Sequence, residues 1–288
     1  MKIEVLFPEV CNLYGDLANI RYLAESMQDV EVVETSLKEK PCFVTGKVDL
    51  IYMGTTTEEG IRLSVEALLP YKDILTRLID DGQFIFLTGN ALDVFGKYID
   101  TDQDLWRTDD ANKSPRHLDC LGIIDTYSKY RMMNRHNSFY VGTLNDDDAS
   151  IKNGGEDVTV VGFKSIFGHT FEMKNAQVKA EKGNDMTFFP TPLFRTVRGV
   201  GRNPEVTEEG YRINNLMATY LIGPILPLNP KFTKWLLMEM LETGIGGITS
   251  ELDEKGEPKV TVAYEEAATI AYEQRLSELM NEHFDPIY

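Results

Sequence analysis

Few residues in this chain could do chemistry, and the segment best shaped for it lacks a reactive group. The apolar run Phe84–Leu87 leads into Thr88-Gly89-Asn90, and Ala91, Leu92, Val94 and Phe95 follow. That pattern predicts a buried strand turning sharply into a helix, a common mounting for a nucleophile in α/β enzymes. At the turn stands Gly89, which has nothing to attack with. A second polar turn, Gly54-Thr55-Thr56-Thr57, ends the nearly all-apolar run "VDLIYMG". Cys11, Cys42 and Cys120 are widely spaced without a CxxC pair, and His117, His136, His169 and His283 form no HxxxH pattern. They read as reduced structural thiols and isolated histidines, so neither a metal nor a cofactor is expected. The aspartates of "LNDDDASIKNGGED" lack cation-loop spacing and read as a solvated loop.

The elements that must position these residues follow from periodicity. Lys2–Phe7 reads as a first strand, and Asp16 in "NLYGD" is placed to cap a helix carrying Ile20, Leu23 and Met27. Val30–Val33 and Val48–Gly54 are the next strands, the latter nearly all apolar as in a central parallel strand. A helix follows, broken at Pro70, and Tyr71, Ile74, Leu75, Leu78 and Ile79 continue an amphipathic face up to the strand Phe84–Leu87. This alternation predicts an α/β fold with a doubly wound, mostly parallel sheet of flavodoxin-like type, its crevice at the carboxyl ends of the strands. Asp100–His117 reads as a polar excursion. An extra β-rich segment is expected, with strands at Ile123–Tyr127, Phe139–Thr143, Val158–Phe163 and Met186–Phe189. A buried strand and Pro-rich turn lie in Met217–Pro230, then a helix with Trp235, Leu236 and Met240 inward, and a last helix over Tyr264–Met280. Residues 1–245 are read as one α/β domain, with 246–288 a connector and a helix packing on it.

With 46 acidic against 29 basic residues, the net charge of −17 disfavours nucleic acid and anionic membrane surfaces as partners. No signal-peptide core and no run of about 18 apolar residues occurs, so a cytoplasmic chain is expected.

Several segments, in order, resemble one family. "PEVCNLYGDLANI", "DLIYMG", "LDCLGIIDTYSKY", "VGFKSIFGHT", "VRGVGRNPE" and "ATYLIGPILPLNPKFTKWLL" are similar to successive motifs of the cobyric-acid-synthase-type (CobB/CobQ) class I glutamine amidotransferases. Among these, the GatD branch, the glutaminase subunit of lipid II isoglutaminyl synthase, is the most similar. The resemblance spans about Lys2 to Leu237. It implies a doubly wound fold in which an elbow cysteine and a histidine hydrolyse glutamine. It also implies that ammonia passes to an ATP-dependent partner of Mur-ligase-like or cobyrinate-synthase-like type, in cell-wall amidation or corrinoid synthesis.

The chemistry does not carry over with the motifs. Against the family's "AICGGYQLLG" this chain reads "LTGNALDVFG", so the cysteine falls on Gly89 and the next glycine on Asn90. The histidine of "YLHGP" falls on Ile222, and in "GFE-x-H-x-G-x-T" the acid is Lys164 and the histidine Ile166. The turn that helps supply oxyanion donors has become Gly54-Thr55-Thr56-Thr57. Amide hydrolysis needs a thiolate, a base and oriented N–H donors, and a loss of this kind costs on the order of 10⁶ in turnover. A glutaminase-silent chain that binds a partner or a small ligand is therefore expected. Two alternatives stay open. One is an enzyme acting on another substrate, its pocket lined by Gly54, Thr55, Thr56, Thr57, Thr88, Gly89, Asn90, Asp93 and His169. The other is an active subunit with a relocated nucleophile such as Cys11. If Gly89 keeps the elbow's shape, it should have positive φ, which glycine adopts at least steric cost.

Overall fold

In a computed structural model, residues 1–106, 109–110, 112–146, 157–173, 187–248, 250–252 and 258–281 are described. The parallel sheet is built from β1 (Lys2–Leu6), β2 (Glu31–Thr35), β3 (Leu50–Met53) and β4 (Phe84–Thr88). The later strand β14 (Leu216–Thr219) joins it beside β4, and β13 (Tyr211–Ile213) closes that edge antiparallel. The order is β13-β14-β4-β3-β1-β2. With β1 paired to both β2 and β3, the crossovers reverse direction between β1 and β3, and in such sheets the crevice opens there. The α/β doubly wound fold is thus present.

Both faces of the sheet are covered, which is why β3 and β4 are buried at every position. Ile51, Met53, Ile85 and Leu87 pack in one core with Ile61, Val65 and Leu68 of α2 (Glu58–Leu68) and with Leu75 and Ile79 of α3 (Lys72–Asp80). Leu50, Tyr52, Phe84 and Phe86 face the other core. It holds Ile20 and Leu23 of α1 (Leu17–Glu25), Leu226 of α4 (Ile225–Leu228) and Phe232 and Leu236 of α5 (Pro230–Glu242). Pro70 sits in a 3-10 turn, Leu69–Tyr71, that joins α2 to α3.

Two smaller sheets carry the β-rich segment. One has β5 (Tyr98–Thr101), β6 (His117–Asp119), β7 (Thr126–Tyr130) and β10 (Gly168–Glu172). The other has β8 (His136–Leu144), β9 (Thr159–Ile166), β11 (Phe194–Arg198) and β12 (Glu208–Glu209). A two-stranded sheet pairs β15 (Ser250–Leu252) with β16 (Pro258–Val260). The helix α6 (Glu265–Asn281) packs Tyr272 and Leu279 against Val141 and Val161.

Several boundaries differ from the periodicity. The strand expected at Ile123–Tyr127 runs over Thr126–Tyr130, because Ile123 and Ile124 are turned into the core by backbone bonds to Phe95. At Met186–Phe189, Met186 lies outside the described residues, and Phe188 forms an isolated bridge to Ile124. Residues 147–156 of the aspartate-rich loop, residues 253–257 of the connector, and His283 also lie outside the described residues. The helix expected after Gly89 is a 3-10 turn, Gly89–Phe95, ending before Gly96. Asp16 precedes α1 but makes no capping bond; its side chain turns into the sheet instead.

Candidate functional site

The loops after β1, β3 and β4 converge where the crossovers reverse, and Gly89 sits at their centre. Its φ is +59°, so the elbow's left-handed turn is kept. The position cannot take a side chain as it stands. A Cβ on Gly89 would lie 2.7 Å from both Cβ and Cγ2 of Thr55, and closer still to Oγ1. Thr55 therefore fills the space into which a side chain at the elbow would project.

Thr55 is held there from below. Its N–H donates to Asp16 Oδ2 at 2.7 Å, its hydroxyl donates to the same oxygen, and Thr88 Oγ1 adds a third bond at 2.8 Å. Asp16 is fully buried, and burial raises its carboxyl above the usual range, opposed by the bonds from Thr55 and Thr88. The neighbouring turn is closed as well. Asn90 Oδ1 accepts from the Thr56 N–H at 2.9 Å, and Asn90 Nδ2 donates to the Thr56 carbonyl at 2.9 Å. The N–H groups of Thr55 and Thr56 are thus engaged within the protein and point no hydrogen at a guest.

Beside this knot opens a cavity of ≈ 180 Å³. Thr55, Thr56, Thr57, Gly89, Asn90 and Asp93 line it, with Tyr130, Tyr220 and Ile222 opposite. Asp93 is buried and gathers hydroxyls: Ser128 at 2.5 Å and Tyr220 at 2.5 Å on Oδ1, Tyr130 at 2.6 Å on Oδ2, and Thr170 at 3.2 Å. Desolvation raises its carboxyl, and these four bonds oppose the rise. Three residues expected to line the pocket do not. Gly54 faces the Cys11 carbonyl and Asp16, Thr88 is turned to Asp16 and Tyr52, and His169 is turned to His136.

The far wall holds no base. Ile222 is 4% exposed, and its N–H bonds the Phe163 carbonyl at 2.9 Å, which sets it between this cavity and a second one of ≈ 240 Å³. Ile166 also lines the first cavity. Lys164 points away into the core, with Nζ 3.0 Å from the Gly201 carbonyl and 3.4 Å from buried Glu209. Burial lowers the Lys164 ammonium, and Glu209 opposes the shift. His169 Nε2 lies 2.9 Å from His136 Nε2; burial, then the charges of His136 and Lys164, push His169 down to about 4.

Neither buried thiol is poised to attack. Cys11 is fully buried at 3.7 Å from Ser64 Oγ, and burial pushes it up to about 11. Burial also raises Cys120 well above the ordinary thiol range. Among the described residues, no group of three or more His, Cys, Asp or Glu could hold a metal ion, and no helix is long and apolar enough to cross a membrane.

Periodicity missed several lining residues. Tyr14, in the "NLYGD" turn, has φ +59° and is 48% exposed at the cavity mouth. Arg135 stacks on Phe167 at 4.1 Å and donates to Ser165 Oγ at 2.9 Å. Tyr130, Ser165, Phe167 and Gly168 come from the β-rich segment, and nothing local in the sequence announces that β7, β9 and β10 reach the crevice. The Tyr14 turn and Tyr220, which stands beside "LIGP", did carry a signal, since both lie in the motifs with the strongest family resemblance.

The chain is similar to two curated proteins over most of its length. One is the subunit GatD of lipid II isoglutaminyl synthase (glutamine-hydrolyzing) from Staphylococcus aureus, 27% identical over 250 residues, covering 85% of this chain and 87% of that protein. The other is the subunit of the same description from Streptococcus pneumoniae, 24% identical over 250 residues, covering 85% and 82%. No protein-family profile matches the chain. Among solved structures, a glutamine amidotransferase aligns over 82% of this chain and 98% of its own with a TM-score of 0.45 and 10% identity. The glutaminase domain of Trypanosoma brucei CTPS with bound acivicin aligns over 85% and 95%, with a TM-score of 0.46 and 11% identity. The two curated relatives support what the motifs indicate: a class I glutamine amidotransferase-like chain of the GatD type.

Proposed function

We propose that this chain is a GatD-like subunit without glutaminase activity, which binds and supports an ATP-dependent Mur-ligase-like or cobyrinate-synthase-like partner in the cytoplasm. The observation that carries the reading is the occupation of the nucleophile's space by Thr55, with Gly89 at φ +59° beneath it. A nucleophile missing by a single substitution would leave a gap at the elbow. Here the gap is filled, the filler is bonded to a buried carboxylate, and the adjacent N–H of Thr56 is bonded to Asn90. Ile222 cannot accept a proton, and among the described residues the groups facing Cys11 are Ser64, Thr56, Glu9 and Asp16, with no histidine to activate it. Retention of the whole fold around a closed site favours a role in binding.

The test is ammonia release from glutamine by the purified chain, alone and with whatever ligase-like protein co-purifies. Background-level release with a stable partner in the pull-down is expected. Robust release that is lost in Cys11→Ala would overturn the reading in favour of a relocated nucleophile.

A further inference from the structure

The cavity beside Gly89 is one-sided in its hydrogen bonding. Tyr130 and Tyr220 donate to Asp93, at 2.6 Å and 2.5 Å. Ser165 Oγ donates to Asn137 Oδ1 at 2.8 Å, Thr56 Oγ1 to the Val10 carbonyl at 2.7 Å, and Thr55 Oγ1 to Asp16. A hydroxyl has a single hydrogen, so each of these oxygens can only accept from a guest. The exposed residues Thr57 and Tyr14, at the mouth, keep theirs. The carboxylates of Asp93 and Glu58 add negative charge, and Arg135, the one basic residue among the described residues of the lining, is drawn onto Phe167 and Ser165.

An amide-hydrolysing site presents donors to an oxyanion. The hydroxyls of Tyr130, Tyr220, Thr55 and Thr56 do the reverse, because each turns its hydrogen to a protein acceptor and keeps only lone pairs for the cavity. From this polarity we propose that the cavity binds the primary ammonium group of a small alkylamine, with Tyr130, Tyr220, Asp93 and Glu58 as its acceptors. The N–H bonds of an ammonium find lone pairs at the Tyr130 and Tyr220 oxygens and at Glu58, whereas a carboxylate meets the like charge of Glu58 and Asp93. The size agrees: ≈ 180 Å³ holds a short chain and falls below the roughly 300 Å³ at which drug-sized pockets begin.

The inference rests on the reading that the crevice does not hydrolyse amides, and the two fail separately. Ammonia release from glutamine would break that reading. The amine preference is tested by titrating n-butylamine hydrochloride against sodium butyrate in a calorimeter, at about 0.2 M salt to screen the acidic surface. Saturable binding of butylamine and none of butyrate is expected. Tyr130→Phe and Glu58→Gln should each weaken it about three- to tenfold. Glu58 is half-buried in the first turn of α2, so its variant keeps the fold even if Tyr130→Phe does not. Butyrate binding as tight as butylamine, no saturable binding of butylamine, or full affinity in Glu58→Gln together with a folded Tyr130→Phe would overturn the proposal.

Discussion

The elbow and the wall opposite it carry Gly89 on one side and Ile222 and Ile166 on the other, and the two sides are packed differently. At the elbow the space beside Gly89 is filled: Thr55 stands where a side chain would project and is bonded to buried Asp16. Across the crevice, Ile222 and Ile166 line open space. A polar group beside a parallel sheet's carboxyl edge must be paired or hydrated, so the elbow closes into a hydrogen-bonded knot. Apolar side chains need no partner and can border a cavity without such closure. Substitution should therefore be costly on the first side and cheap on the second.

The largest effect is expected at Gly89. Gly89→Ala combines left-handed strain with a clash on Thr55 and should destabilise by about 3 kcal/mol in urea unfolding. Adding Thr55→Gly should recover the steric part. If Gly89→Ala is neutral, Thr55 does not hold that space. Asp16→Ala should cost nearly as much, about 2–3 kcal/mol, by leaving the Thr55 N–H and the Thr88 hydroxyl without their buried acceptor. A denaturation midpoint equal to wild type would separate the knot from stability.

A smaller effect belongs to the β-rich side. His169 is pushed down to about 4 beside His136 and Lys164, so it stays neutral in the fold, while in the unfolded chain it takes up a proton near 6.5. The unfolded state then binds more protons between these values, and stability falls as pH drops from about 6.5 to about 4. The contribution is on the order of 2 kcal/mol. His169→Asn should flatten that part of a melting-temperature profile; an unchanged slope would place the acid sensitivity elsewhere.

The smallest effect is expected at Ile222. Ile222→His enters a wall bordered by two cavities and should cost under about 1 kcal/mol in thermal melts. It should restore no ammonia release while Gly89 and Thr55 remain. Appreciable release from this single variant would show that the elbow is not closed.

Strands β3 and β4 were legible because a strand covered on both faces must be apolar throughout, and Leu50–Met53 and Phe84–Leu87 are. The shape at Gly89 was legible through the motif it occupies. Asp16 was misread, since the residue before a helix usually caps it, and only the approach of β3 and β4 gives its carboxylate better donors. His169 was misplaced for the related reason that its partner His136 lies on β8, far away in sequence.

The residue types alone determined the doubly wound sheet, the glycine at the elbow and the absence of a base at Ile222, because periodicity and motif position are local properties. The tertiary structure alone decided that Thr55 fills the elbow, that Asp16 holds it there, and that the cavity wall offers acceptors. Each of those facts depends on which groups from distant segments face one another, and on which way each hydroxyl gives its single hydrogen.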